Sequence, residues 1–105
     1  PFDRFVKEQI AGDLLPAATP ADRTRQVVAT TYLMLGNTNL AEQDKKQLRM
    51  DVVDEQLDVI GKGLLAQTIT CARCHDHKFD PIPTKDYYAL AGILRNARAL
   101  KDANV

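Results

Sequence analysis

The sequence predicts an all-α domain of four main helices. Three observations carry that prediction. Strand-type alternation of apolar and polar residues is absent along the chain. Apolar residues recur instead at three- and four-residue spacings in four segments. Glycines, prolines and capping residues mark where those segments stop and start. At 105 residues, with no internal repeat, low-complexity stretch or obvious linker, the length and pattern predict one domain over 1–105.

The first helix is predicted from about Phe2 to Leu14, where Phe2, Phe5, Val6 and Ile10 share a face. Gly12 weakens its end and Pro16 bars continuation. The second opens with a start signal: Thr19 can cap, Pro20 suits the first helical position, and Asp22 sits three residues after the cap. Val27, Val28, Thr31 and Leu35 recur on one face, and Gly36 is a suitable stop. Asn37 to Asn39 reads as a loop.

The third and longest helix starts near Ala41 and reaches Thr68 or Thr70, with Leu48, Val52, Val53, Leu57, Ile60, Leu64 and Leu65 as its buried stripe. The acidic run Asp51, Asp54, Glu55 and Asp58 predicts its solvent face, with Lys62 placed to pair with Asp58 across one turn. Gly61 and Gly63 interrupt it. One interior glycine costs about 1 kcal/mol relative to alanine, so two close together require a reason. Either a missing side chain lets a flat ring or another helix approach closely, or the helix kinks or breaks there. Phe79-Asp-Pro-Ile-Pro83 is held non-helical by its two prolines. The last helix begins at a Thr84 cap and runs to about Ala99, with Tyr87, Tyr88, Ala91 and Leu94 as its inner face.

Lysines plus arginines and aspartates plus glutamates number 14 each, so no overall charge draws the chain to nucleic acid. No stretch approaches the length of a transmembrane helix. The sequence begins at Pro1 rather than Met, which predicts processing or excision from a longer protein, so a missing signal peptide says nothing about compartment. The two cysteines suit an oxidising compartment but are too few for a disulfide framework.

Those two cysteines form the most informative feature, Cys71-Ala72-Arg73-Cys74-His75. This is the spacing for covalent attachment of a c-type haem. Cys71 and Cys74 would bond the porphyrin vinyl groups and His75 would be the axial, proximal ligand of the haem iron. A thioredoxin-type pair calls for a βαβ setting, which the pattern lacks. A zinc site from Cys71, Cys74, His75 and His77 has four ligands packed into seven residues, where structural zinc sites hold two separated pairs. A Cys71–Cys74 disulfide would close a tiny loop and add little stability. A domain this small buries a modest share of its surface, so a porphyrin would enlarge its core, and the haem-free chain is expected to be loosely packed.

Around the motif, His77 is a candidate for supporting the haem ligand or bonding a propionate, or else an inert surface histidine; as a ligand on the opposite face of the iron it would need an unusual loop. Met50 and Met34, the two methionines, are candidate distal ligands. Each also fits the ordinary core-filling use of methionine, which leaves an open sixth position as an alternative. Asp76 and Asp80 suggest either a small cation site or local capping, with Asp76 fixing the backbone of the turn and Asp80 bonding the turn before Pro81. Arg73, Lys78 and Lys85 form a positive cluster that could neutralise propionates or meet an acidic partner.

The motif extends through Cys71-Ala-Arg-Cys-His-Asp-His-Lys-Phe-Asp-Pro-Ile-Pro83 to Thr84-Lys-Asp-Tyr-Tyr-Ala-Leu-Ala-Gly-Ile-Leu94. With Phe2-Asp-Arg-Phe-Val-Lys-Glu-Gln-Ile-Ala-Gly-Asp-Leu-Leu-Pro16 and Val53-Asp-Glu-Gln-Leu-Asp-Val-Ile-Gly-Lys-Gly-Leu-Leu65, it resembles a cytochrome-associated domain of unknown function found in large secreted or surface-bound planctomycete-type proteins. The resemblance implies haem c, an extracytoplasmic setting (periplasm or cell surface) and membership of a longer polypeptide, but no substrate. The expected function is electron transfer within a larger redox protein, to a partner protein or to neighbouring domains. The alternatives are a peroxidase-like module with an open iron position and a haem-free metal or interaction domain.

Overall fold

The computed structural model describes residues 1–39 and 41–97. Four α-helices, α1 (Phe2–Ala11), α2 (Pro20–Ala29), α3 (Lys45–Ile60) and α4 (Thr84–Asn96), are joined by tighter 3₁₀ turns and one π turn. No strand occurs among the described residues. The chain forms two compact units, Pro1–Leu35 and a second that begins at Gly36.

The first unit pairs α1 with α2 through polar residues. Glu8 is buried, and its carboxylate accepts from Arg4 Nε at 2.9 Å and from Arg25 Nη1. Arg25, and then Arg4, hold that carboxyl below its ordinary range. Gln26 is buried too, and its amide donates to Pro16 O at 3.0 Å. Gly12 permits the closest approach: a Cβ there would lie 2.2 Å from Gln26 O.

The predicted apolar faces are corrected here. Phe2 and Phe5 are exposed and stack on each other at 6.2 Å, while Val6 and Ile10 are half-buried. Val27, Val28, Thr31 and Leu35 are exposed as well. A two-helix pair has one line of contact, and Glu8, Gly12 and Gln26 occupy it.

α2 starts as predicted. Thr19 Oγ1 accepts from Asp22 N at 3.1 Å and donates to Asp22 Oδ2 at 2.8 Å, which with Arg25 lowers the Asp22 carboxyl. The α-helix stops at Ala29, earlier than expected. The Thr30 and Thr31 hydroxyls donate back to Val27 O and Val28 O at 2.7 Å, and Thr30–Met34 tightens to 3₁₀.

In the second unit, Asp44 rather than a residue near Ala41 starts α3. Its carboxylate accepts from Lys46 N at 2.9 Å and Gln47 N at 3.2 Å. Leu48, Val52, Val53 and Leu57 are buried as predicted. Val53 and Leu57 share a core with Ile69, Ala72, Tyr87 and Ala91, and Ile82 and Leu94 pack at its edge. Ile60 and Leu64 are half-buried and Leu65 is exposed.

The third helix does not reach Thr68 or Thr70. Gly61–Leu65 forms a π turn, and Ala66 turns left-handed at φ 54°. The amides of Ala66 and Gln67 both donate to Gly61 O, the latter at 2.9 Å. A Cβ on Gly61 would lie 2.7 Å from Gln67 O, so this glycine accommodates the chain's own return. The motif therefore occupies a separate 3₁₀ turn, Ile69–Arg73, rather than the end of α3.

α4 ends at Asn96, and the predicted end at Ala99 lies outside the described residues. Tyr87 and Ala91 face inward as expected and Leu94 partly so, whereas Tyr88 is exposed. Thr84 makes no side-chain cap; Asp76 Oδ1 accepts its amide at 2.8 Å from eight positions upstream.

Candidate functional site

Cys71 lies within the Ile69–Arg73 3₁₀ turn, and Cys74 caps its end at φ −107°, ψ −30°. Both are exposed free thiols. The residues between them do the anchoring. Ala72 is wholly buried in the core. Arg73 Nη1 donates to Asp54 Oδ2 at 2.9 Å, and Nη2 lies 3.8 Å from Asp51. Burial opposes the Arg73 charge, but Asp54 outweighs it and holds the guanidinium firmly protonated.

α4 completes the clamp. Tyr87 OH donates to Asp54 Oδ1 at 2.6 Å, and Tyr88 OH donates to Arg73 O at 3.2 Å. Burial first, then the Asp54 carboxylate, pushes the Tyr87 phenol well above its usual range.

The acidic run on α3 is thus not a plain solvent face. Asp54 holds the motif, Asp58 accepts from Thr70 Oγ1 at 3.1 Å and from Lys62 at 2.7 Å, and Glu55 accepts the Asn37 amide at 2.9 Å. The predicted Lys62–Asp58 pair is present. The predicted positive cluster loses Arg73 to these acids, and Lys78 Nζ sits 5.2 Å from the Phe79 ring centre.

The two histidines take opposite tautomers. His75 is exposed, with Nδ1 2.8 Å from Asp76 O. A carbonyl only accepts, so Nδ1 carries the hydrogen and Nε2 keeps the lone pair that a metal takes. The His77 side chain is nearly all buried, 6% exposed. Its Nδ1 accepts from Phe79 N at 3.2 Å and Asp80 N at 2.8 Å, so Nε2 carries the hydrogen and donates to Thr68 Oγ1 at 2.9 Å. Thr68 O in turn accepts the Cys71 amide at 3.2 Å. His77 therefore locks its own loop to the segment that leads into the motif, with both ring nitrogens engaged.

Residues 1–99 match the family described as PSCyt2, a protein of unknown function (DUF1549). The chain belongs to that family. The chain matches no curated protein, and no solved structure matches it. The PSCyt2 match spans all four helices and the whole Cys71–His75 unit.

Within this PSCyt2 chain, Asp76 and Asp80 do not converge as a cation site: Asp76 serves α4, and the Asp80 amide serves His77. No group of three or more His, Cys, Asp or Glu is arranged to hold a metal ion among the described residues. Met34 closes the 3₁₀ turn of the first unit. Met50 is half-buried one turn before Asp54 on α3, on the face that meets Arg73. No helix among the described residues is long and apolar enough to cross a membrane. Sequence reading missed Asp54, Thr68 and Tyr87 as supports. Their partners lie 9 to 33 positions away, and no local pattern announces such contacts.

Proposed function

We propose that this PSCyt2 domain carries a covalent c-type haem on Cys71 and Cys74, with His75 as proximal ligand, and acts as an electron-transfer domain of a larger extracytoplasmic redox protein. The observation that carries this reading is the His75 ring: its Nδ1–H is given to Asp76 O, so its Nε2 lone pair is the one left for a metal. The donor set fits the group. One thiol lies within a turn and the other at its end, both are exposed, and neither contributes to the core, so thioether formation leaves the anchoring untouched.

Haem supplies a one-electron centre when bound. The chain's own residues do the rest. Arg73, held by Asp54, fixes the turn so that the thiols and imidazole stay in register. The Asp54 and Asp51 carboxylates pair with Arg73, and their negative charge would favour the oxidised state of a haem held at this turn. Phe79, 83% exposed and next to the His77 lock, offers an apolar surface to a flat ligand. Met50 is the better placed distal candidate, because its helix face is the one that holds the motif. The partner is a redox protein or a neighbouring domain of the same polypeptide.

The peroxidase-like alternative needs a free polar side chain over the iron. His77 was the one spare imidazole, and both its nitrogens are engaged, which favours the carrier. The test is expression with the c-type maturation machinery, followed by a pyridine haemochrome assay and intact mass. One covalent haem is expected on the native chain and none on Cys71→Ala/Cys74→Ala. A native chain with no covalent haem overturns the proposal.

A further inference from the structure

His75 is exposed, and a hydrogen bond from an exposed ring competes with water. Such a bond fixes a tautomer only if its acceptor is already held in place. The acceptor here is the carbonyl of Asp76, which is held twice: the amide of its own peptide unit, His77 N, donates to Ile82 O at 2.9 Å, and the Asp76 side chain is tied down, with Oδ1 accepting the Thr84 amide at the first residue of α4, 2.8 Å away. A continuous path therefore runs from the start of α4 through the Asp76 carboxylate and the Asp76 carbonyl to His75 Nδ1. The acid is placed where it meets unpaired amides at a helix start, so the contact also suits the helix.

We propose that Asp76 is the positioning residue for His75: by clamping to the Thr84 amide it holds its own carbonyl against His75 Nδ1 and presets the imidazole with Nε2 as the free donor. Its consequence at the iron rests on the haem reading above; its consequence for the free ring does not. An acceptor on Nδ1 makes the imidazole a stronger donor through Nε2, which favours the oxidised metal and lowers the potential.

His77 is a built-in control. It is the only other histidine, it takes the opposite tautomer, and its ring meets Thr68, the Phe79 and Asp80 amides and, at 3.5 Å, the Asp80 carboxylate, not the Asp76 side chain.

The experiment reads both rings in the 15N-labelled 105-residue chain by long-range proton–nitrogen NMR, at a pH where both are neutral. The native chain should show one Nδ1–H ring and one Nε2–H ring. Asp76→Ala removes the clamp. Thr84→Pro removes the amide it grips, while proline suits a first helical position and Pro83 is already extended at ψ 155°, as a residue before proline must be. Both variants should lose the single Nδ1–H form at His75 and leave His77 unchanged. Asp76→Asn keeps an acceptor oxygen and should retain the native pattern. In haem-loaded protein the first two variants should raise the potential, and the asparagine variant should stay close to native.

A native His75 carrying its hydrogen on Nε2, or a His75 ring unmoved in both Asp76→Ala and Thr84→Pro, overturns the proposal. So does simultaneous loss of the His77 form in both variants, which would make Asp76 a general support of the loop. Native tautomers as expected in a chain that takes up no covalent haem would end the electron-transfer reading and leave the clamp standing.

Discussion

Replacing Asp54 with alanine removes one carboxylate and strands two donors. Tyr87 is fully buried, and its hydroxyl gives its hydrogen to Asp54 at 2.6 Å. A bond to a charged acceptor contributes about 1.5–3 kcal/mol, and a buried donor left without a partner costs about 1–3 kcal/mol. Arg73 loses its 2.9 Å contact but is about one-third exposed and keeps Asp51 at 3.8 Å, so water and the second acid limit that loss to about 1 kcal/mol. The lost bond and the stranded donor are one loss seen from two sides, so at about 2 kcal/mol for Tyr87 and about 1 kcal/mol for Arg73 the sum is about 3 kcal/mol. Tyr87→Phe is the instructive comparison. It deletes the hydroxyl and leaves Asp54, 21% exposed, with Arg73, so it should cost about 1–2 kcal/mol. The double variant should be no worse than Asp54→Ala alone, because the orphaned hydroxyl is gone. Urea unfolding followed by far-UV circular dichroism measures all four proteins. For a unit of this size 3 kcal/mol corresponds to a fall in Tm of about 12 °C or more. If Asp54→Ala proves no more harmful than Tyr87→Phe, or the two effects simply add, the clamp does not work as described.

Ala66→Gly should stabilise the chain by about 1 kcal/mol, since Ala66 holds φ at 54° where glycine carries no steric penalty; a shift in urea midpoint reads it. Gly61→Ala should cost about 1–3 kcal/mol, because the new methyl meets the Gln67 carbonyl at 2.7 Å, and the same titration checks it. Glu8 gives an acid-sensitive term. Its folded carboxyl sits below the ordinary 4.5, so the unfolded chain binds its proton first on acidification. The contribution is full above that value and disappears as pH falls through the folded one. Glu8→Gln should flatten the acid limb of stability against pH.

Much of the second unit was readable from spacing alone. Leu48, Val52, Val53 and Leu57 fall at helical period on a face that is buried. In the first unit Thr19-Pro20 with Asp22 announced a helix start that the contacts match, but its buried face was not readable in the same way. Phe2, Phe5, Val27 and Val28 look like core, but the contact line goes to Glu8 and Gln26, whose burial depends on partners from the other helix or from the connecting loop. The end of α3 turned on a left-handed alanine, which no propensity rule selects. Thr84 has the chemistry of a cap, yet the Asp76 carboxylate reached its amide first. The Cys71–His75 unit stood out in the sequence by its spacing. Its attachment to the fold did not, because Asp54 reads as one more surface acid until Arg73 and Tyr87 are seen to converge on it.

The full burial of Ala72 bears on whether the pentapeptide can be transplanted. A larger residue there would have to displace Val53, Leu57 or Tyr87, and an uncharged one at position 73 would leave Asp54 without its cationic partner. The five residues are therefore not a portable cassette. A scaffold that borrowed them without the acidic helix and its tyrosine would inherit the two thiols and the imidazole and lose the supports that hold their turn in place.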